Sequence, residues 1–181
     1  MRNHAAFTTI MAALLLPAFT LAADAPTYGF ECDTMAGHFS SWTRSVTTKE
    51  ITIKGLIAIN EIRPDKKWGA TASVLLRGDA KNRASYGIRL YVPSKEPDIV
   101  VVELLKIGGN NPIGAASIPR TKKTLPFTLA LTPTGTLKAT VGDGAASVEL
   151  GAFTPGKIVL GCSAGDFSFA EIGISETPAG S

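Results

Sequence analysis

Between Leu125 and Ile174 apolar side chains recur at every second position, and Gly, Pro and Asp break the runs at near-regular intervals. Five short strands follow from that pattern: Leu125–Leu131, Thr136–Val141, Ser147–Phe153, Lys157–Ser163 and Phe167–Ile174. The expected turns are Pro133-Thr134-Gly135, Gly142-Asp143-Gly144, Thr154-Pro155-Gly156 and Ala164-Gly165-Asp166. A period of two places alternate side chains on opposite faces, so each run has one face to bury. Several such runs with tight turns predict an all-β chain, an antiparallel two-sheet β-sandwich.

The chain has 181 residues, enough for one domain with a sizeable core. Residues 1–22 read as a signal peptide: Arg2 and His4 precede an apolar run from Ala5 to Leu21, which ends in small residues. Cleavage is expected after Ala22 or Ala23, leaving a single domain over 23–181. Pro17 and the lack of charged stop-transfer flanks argue against a retained anchor, so no membrane span is expected after signal removal. The destination is secreted or periplasmic. In an oxidising compartment two cysteines more often pair than not. Cys32 keeps apolar phase with Tyr28 and Phe30, and Cys162 with Ile158 and Leu160, so a Cys32–Cys162 disulfide is expected to pin the first strand to the late sheet. The formal charge is +3, and basic residues are scattered apart from Lys66-Lys67 and Arg120 with Lys122-Lys123. No aromatic ladder accompanies them, which speaks against nucleic acid as a partner.

The earlier chain follows the same rule. Tyr28–Cys32 and His38–Arg44 are candidate strands separated by a turn at Met35-Ala36-Gly37. Lys49–Ile62 puts Ile51, Ile53, Ile57 and Ile59 on one face; Gly55 in that row suggests a bulge or a close backbone approach. A loop is expected at Arg63–Lys67, where Pro64-Asp65 favours a turn. Trp68–Arg77 points Trp68, Ala70, Ala72, Val74 and Leu76 inward, and Ser85–Val92 does so with Tyr86, Ile88, Leu90 and Val92. Asp98–Ile107 is apolar on both faces, so its outer side must be covered or form a patch. A short strand is expected near Ala115–Ile118 within the loop region Gly108–Lys123.

The closing passage carries a family resemblance. Thr124–Leu129, the hairpin Gly135–Gly144, and the pair Gly156–Gly161 and Phe167–Ile174 resemble the concanavalin A-like lectin/glucanase superfamily, and within it the laminin-G-like modules. Lys54–Ile57 and Tyr86–Leu90 fit the same scheme. The resemblance implies a curved jelly roll whose concave face or rim loops bind a ligand, often a glycan.

Residue chemistry favours binding over catalysis. Glycosidases need two carboxyl groups flanking the bond, whereas Glu61 and Glu103 are single carboxylates on strands. Glu61 continues the inward phase of Ile59, but a bulge at Asn60 would turn it outward. His38 has no Cys or second His beside it for zinc, and no metal site is assigned. Gly161-Cys162-Ser163-Ala164-Gly165 spells a nucleophile elbow but lies between strands, without the following helix. Calcium would need oxygen ligands from Asp79 and Asn82, or from Asp143 and Asp166; Asp in turns more often bonds the local backbone. Arg77-Gly78-Asp79, an adhesion tripeptide by its letters, falls where a turn would place Gly and Asp anyway. A glycan site would combine an aromatic plate with polar groups: outward Tyr91, Arg89, Arg77 and Glu103, provided their strands are neighbours, with Trp42 as a further contributor. Trp68 is in core phase and expected to pack inside. The expected function is therefore an exported, non-catalytic binding module for carbohydrate. The alternatives are an envelope protein docking through the outer side of Ile99, Val101 and Leu105, and, less favoured, a glycan-cleaving enzyme.

Overall fold

A computed structural model describes residues 26–63, 68–79, 83–107, 112–121 and 123–177; the expected signal peptide lies outside them. Ten strands occur among these residues: β1 Thr27–Ser45, β2 Glu50–Ile62, β3 Ala70–Gly78, β4 Ser85–Val92, β5 Ile99–Lys106, β6 Gly114–Pro119, β7 Thr124–Leu131, β8 Thr136–Val141, β9 Gly144–Glu149 and β10 Pro155–Thr177. No helix occurs among them, and hence none long and apolar enough to cross a membrane.

Hydrogen-bonded neighbours run β6-β5-β4-β3-β10-β2-β7-β8-β9, with β1 on β10 and all pairings antiparallel. The two layers of the sandwich meet at β10. Its first half, up to Ser163, pairs with β3, and its second half, from Gly165, pairs with β2. β1 runs beside both halves. Between the halves Ala164 has φ 56°, a left-handed residue at the point where β10 passes from one layer to the other; Glu171, further along the same strand, has φ 54° at a second irregularity. The result is the two-sheet antiparallel sandwich that alternation predicted, in the jelly-roll form that the resemblance implied.

The core is where the two inner faces meet. One layer supplies Ala72, Val74, Leu76, Ile88, Leu90 and Leu160, and the other supplies Ile51, Ile53, Ile57, Leu125, Leu129 and Phe167; all belong to one buried cluster. The Cys32–Cys162 disulfide sits within it, both residues being almost fully buried.

Three local expectations are corrected. Ala164-Gly165-Asp166 is not a turn between two strands, because Gly165 and Asp166 pair with Thr34 and Asp33 on one side and with Ile62 and Glu61 on the other. With both flanks bonded, the backbone has no reason to reverse. Met35-Ala36-Gly37 likewise lies inside β1, as a bulge between Thr34 and Phe39 where Gly37 takes φ 79°. The strand placed at Ser147–Phe153 begins earlier, at Gly144, because Val141 pairs directly with Gly144 across a two-residue turn.

The bulge expected at Asn60 is present: Asp166 pairs with Glu61 and Phe167 with Ile59, leaving Asn60 over. Gly55 marks a close approach, since a Cβ there would lie 2.9 Å from the carbonyl oxygen of Ala170.

Candidate functional site

The outward face of the β3–β4–β5 layer forms a groove of about 950 Å³. Strand register orders its floor into rows. Ser163, Thr71 and Tyr91 stand side by side at one end. Next come Gly161, Ser73, Arg89 and Glu103, then Val159, Leu75 and Gly87, and finally Lys157, Arg77 and Ser85. Gly161, Ser73 and Gly87 are the small residues of the two middle rows, beside the longer Arg89, Glu103, Val159 and Leu75.

Aromatic groups form the lip. Phe39, at the end of the β1 bulge, is 62% exposed and lies over Gly161, where a Cβ would come within 2.5 Å of its ring. Tyr91 packs its ring on Gly69, where a Cβ would meet Cε2 at 2.1 Å. Trp68 is 53% exposed on the same groove, and His38 lines it too.

Arg77, Arg89, Tyr91 and Glu103 are therefore brought together on one surface. Arg89 and Glu103 face each other across β4 and β5, Nε and Nη2 both lying 2.6 Å from the same carboxylate oxygen. Trp42 is not among the lining residues. It packs half-buried against the core, its ring 5.7 Å from Tyr28. Trp68 takes the place foreseen for Trp42. Its inward phase was carried back from β3, but the strand begins at Ala70, and residues before that start are not bound to its alternation. Phe39 and Arg83 were not singled out in the sequence, and His38 was weighed there only as a zinc ligand. A bulge and a polar turn hold them, and periodicity carries no information there. Thr71 and Ser73 were legible as outward positions of β3.

A second acidic group stands elsewhere. Arg63 joins the carboxylates of Asp33 and Glu61, the latter at 2.5 Å. The hydrogen bond from Arg63 holds the Glu61 carboxyl below its ordinary value of 4.5. Hydrogen bonding to Glu61 and Asp33 in turn raises the Arg63 guanidinium further above its ordinary value. Asp166 accepts a hydrogen bond from Asn60 at 3.3 Å. Among the described residues no three His, Cys, Asp or Glu side chains converge as a cation site; of the residues weighed for calcium, Asn82 lies outside the described residues. Gly161–Gly165 is continuous strand rather than a turn into a helix, so Ser163 is not a nucleophile elbow.

No family model matches the sequence, and no curated protein does. Solved structures do match the fold. A carbohydrate-binding module, CBM66 from Bacillus subtilis, is similar with TM-score 0.53 and 16% identity, over 83% of this chain and 92% of that one. The marine PL7 alginate lyase AlyA1 from Zobellia galactanivorans is similar with TM-score 0.52 and 10% identity, over 91% and 86%. Alginate lyase A1-II′, of polysaccharide lyase family 7, gives TM-score 0.54 and 9% identity, over 82% and 79%. The likeness is one of fold. It is consistent with a concanavalin A-like jelly roll, and at such identities the site must be argued from its own residues.

Proposed function

We propose that this protein is an exported, non-catalytic carbohydrate-binding module whose ligand lies along the groove of the β3–β4–β5 layer. The observation that carries the reading is the meeting of Tyr91, Trp68 and Phe39 with Thr71, Ser73 and Arg89 in one concavity. Aromatic faces suit the C–H face of a sugar ring, and the polar side chains suit its hydroxyls. Fold neighbours named as a carbohydrate-binding module and as alginate lyases support the carbohydrate part. A binding role is preferred to glycoside hydrolysis because that reaction needs two carboxyl groups, and among the described lining residues Glu103 is the one carboxylate and is tied to Arg89. Export accords with the disulfide.

The envelope-docking alternative has less behind it. Leu105 on the outer side of β5 is only 4% exposed, and Ile99 and Val101 are half-buried, so that side is not an open apolar face.

Binding to a panel of immobilised polysaccharides tests the proposal. Tyr91→Ala and Trp68→Ala are each expected to weaken the strongest signal about tenfold, the scale of one lost aromatic contact, with melting temperature nearly unchanged for the exposed Trp68. A panel with no hit overturns the reading.

A further inference from the structure

We infer that the groove is selective for an acidic glycan, whose carboxylate or sulfate groups are held at the end marked by Arg77 and Arg83. The inference rests on the carbohydrate reading above and adds the chemical class of the sugar. Arg77 and Arg83 line both the groove and an adjoining cavity of about 510 Å³, which Lys157, Gly78, Asp79 and Gly156 complete. Arg77 and Lys157 stand directly opposite each other in the β3–β10 register, and both are exposed.

Like charges facing each other across a strand pair are destabilising, so a fold with no use for them gains by replacing one. Within the site, Glu103 is already taken by Arg89. No ion pair to Arg77, Arg83 or Lys157 occurs among the described residues. Among the described residues, four cations thus share one continuous surface with the two carboxylates of Glu103 and Asp79. Guanidinium groups match carboxylate and sulfate oxygens in a forked geometry that neutral hydroxyls use less well.

The aromatic and cationic features occupy opposite ends. Tyr91 pairs with Thr71, six positions from Arg77 along β3, a separation of roughly 20 Å at strand spacing. Such a span takes an oligosaccharide rather than a single sugar. One ring stacks at Tyr91 and Trp68 while an acidic unit further along reaches Arg77 and Arg83.

Calorimetric titration of the purified protein with paired polymers tests this: polygalacturonate against its fully methyl-esterified form, and dextran sulfate against dextran. The esterified chain keeps the rings and loses the charge. The expected result is binding to polygalacturonate, dextran sulfate or both that is at least tenfold weaker for the neutral partner and falls as salt is raised; which of the two binds tells carboxylate from sulfate. Arg77→Gln and Arg83→Gln are each expected to lose roughly tenfold in affinity for the acidic polymer, the scale of a charged hydrogen bond. Melting temperature should not fall, and for Arg77→Gln, which relieves the repulsion from Lys157, it should hold or rise slightly; Lys138→Gln, on the other layer, should bind as the parent does. Equal binding of charged and neutral partners, or no response to Arg77→Gln and Arg83→Gln, overturns the inference and leaves the carbohydrate reading standing. Failure of every polymer takes the carbohydrate reading down as well. Single-stranded DNA bound as tightly as the acidic polymer also overturns it, since attraction to any polyanion would then suffice.

Discussion

Arg63 shows how much one side chain organises at the junction of the layers. It follows the last residue of β2, its guanidinium reaches Asp33 of β1 and Glu61 of β2, and its backbone N–H donates to the Ala164 carbonyl at 2.8 Å. The side chains of Asp33 and Glu61 are 67% and 57% exposed, so water screens both pairs and their contribution is small. Its sign is nevertheless fixed. A carboxyl whose value is lowered on folding adds stability that is fully present above its unfolded value and is lost as pH falls through the folded one. Arg63→Gln should therefore melt slightly below the parent at neutral pH, and the gap should close as pH drops below the ordinary glutamate value of 4.5. Thermal melts of the two proteins across pH 3 to 7 read this directly; a gap that widens in acid would refute the assignment. The outward turn of Glu61 was readable beforehand, because Ile62 resumes the buried phase and a residue had to be left over. The salt bridge to Asp33 was not readable, since it joins residues from strands whose adjacency no local pattern encodes.

At the scale of elements, two glycines separate tolerable crowding from intolerable crowding. A Cβ at Gly55 would sit 2.5 Å from Ile172 Cδ1 and 2.9 Å from a backbone oxygen, inside the packed layer. A Cβ at Gly161 would meet chiefly the ring of Phe39, which is exposed and can swing away. Gly55→Ala should therefore cost about 1–3 kcal/mol in urea unfolding, the scale of overpacking. Gly161→Ala should cost clearly less while altering glycan binding through the displaced Phe39. The reverse order would mean that β10 is held less firmly against β2 than its register indicates. The strands themselves were largely visible as period-two runs: β4 and β8 fall where alternation put them. The joins within β1 and β10 were misjudged as turns for a physical reason. Gly and Asp raise the local tendency to reverse, and only the pairing of Gly165 and Asp166 on both flanks overrides it.

For the molecule as a whole, most of the order is long-range. Cys32 and Cys162 are separated by 130 positions. Closing so long a loop stabilises by about 4–5 kcal/mol in the chain-entropy model. The paired Cys32→Ala/Cys162→Ala variant should lose a stability of that order in denaturant titration. It should also refold no faster, since distant strand pairing remains the slow step. A loss well under 1 kcal/mol would mean that the core alone holds β1 in place. Sulfur pairing was legible because both cysteines keep apolar phase. The groove was legible only in part: the rows of outward residues were visible, but which rows adjoin depends on β10 entering between β3 and β2.

That last placement bears on how the protein can come apart. β10 is an inner strand of each layer at once, flanked by β1 and β3 in one and by β1 and β2 in the other. Withdrawing it strips a partner from three other strands and opens both faces of the interior together. A copy interrupted before Pro155 therefore lacks an inner strand in both layers, and neither half is left with its full set of partners.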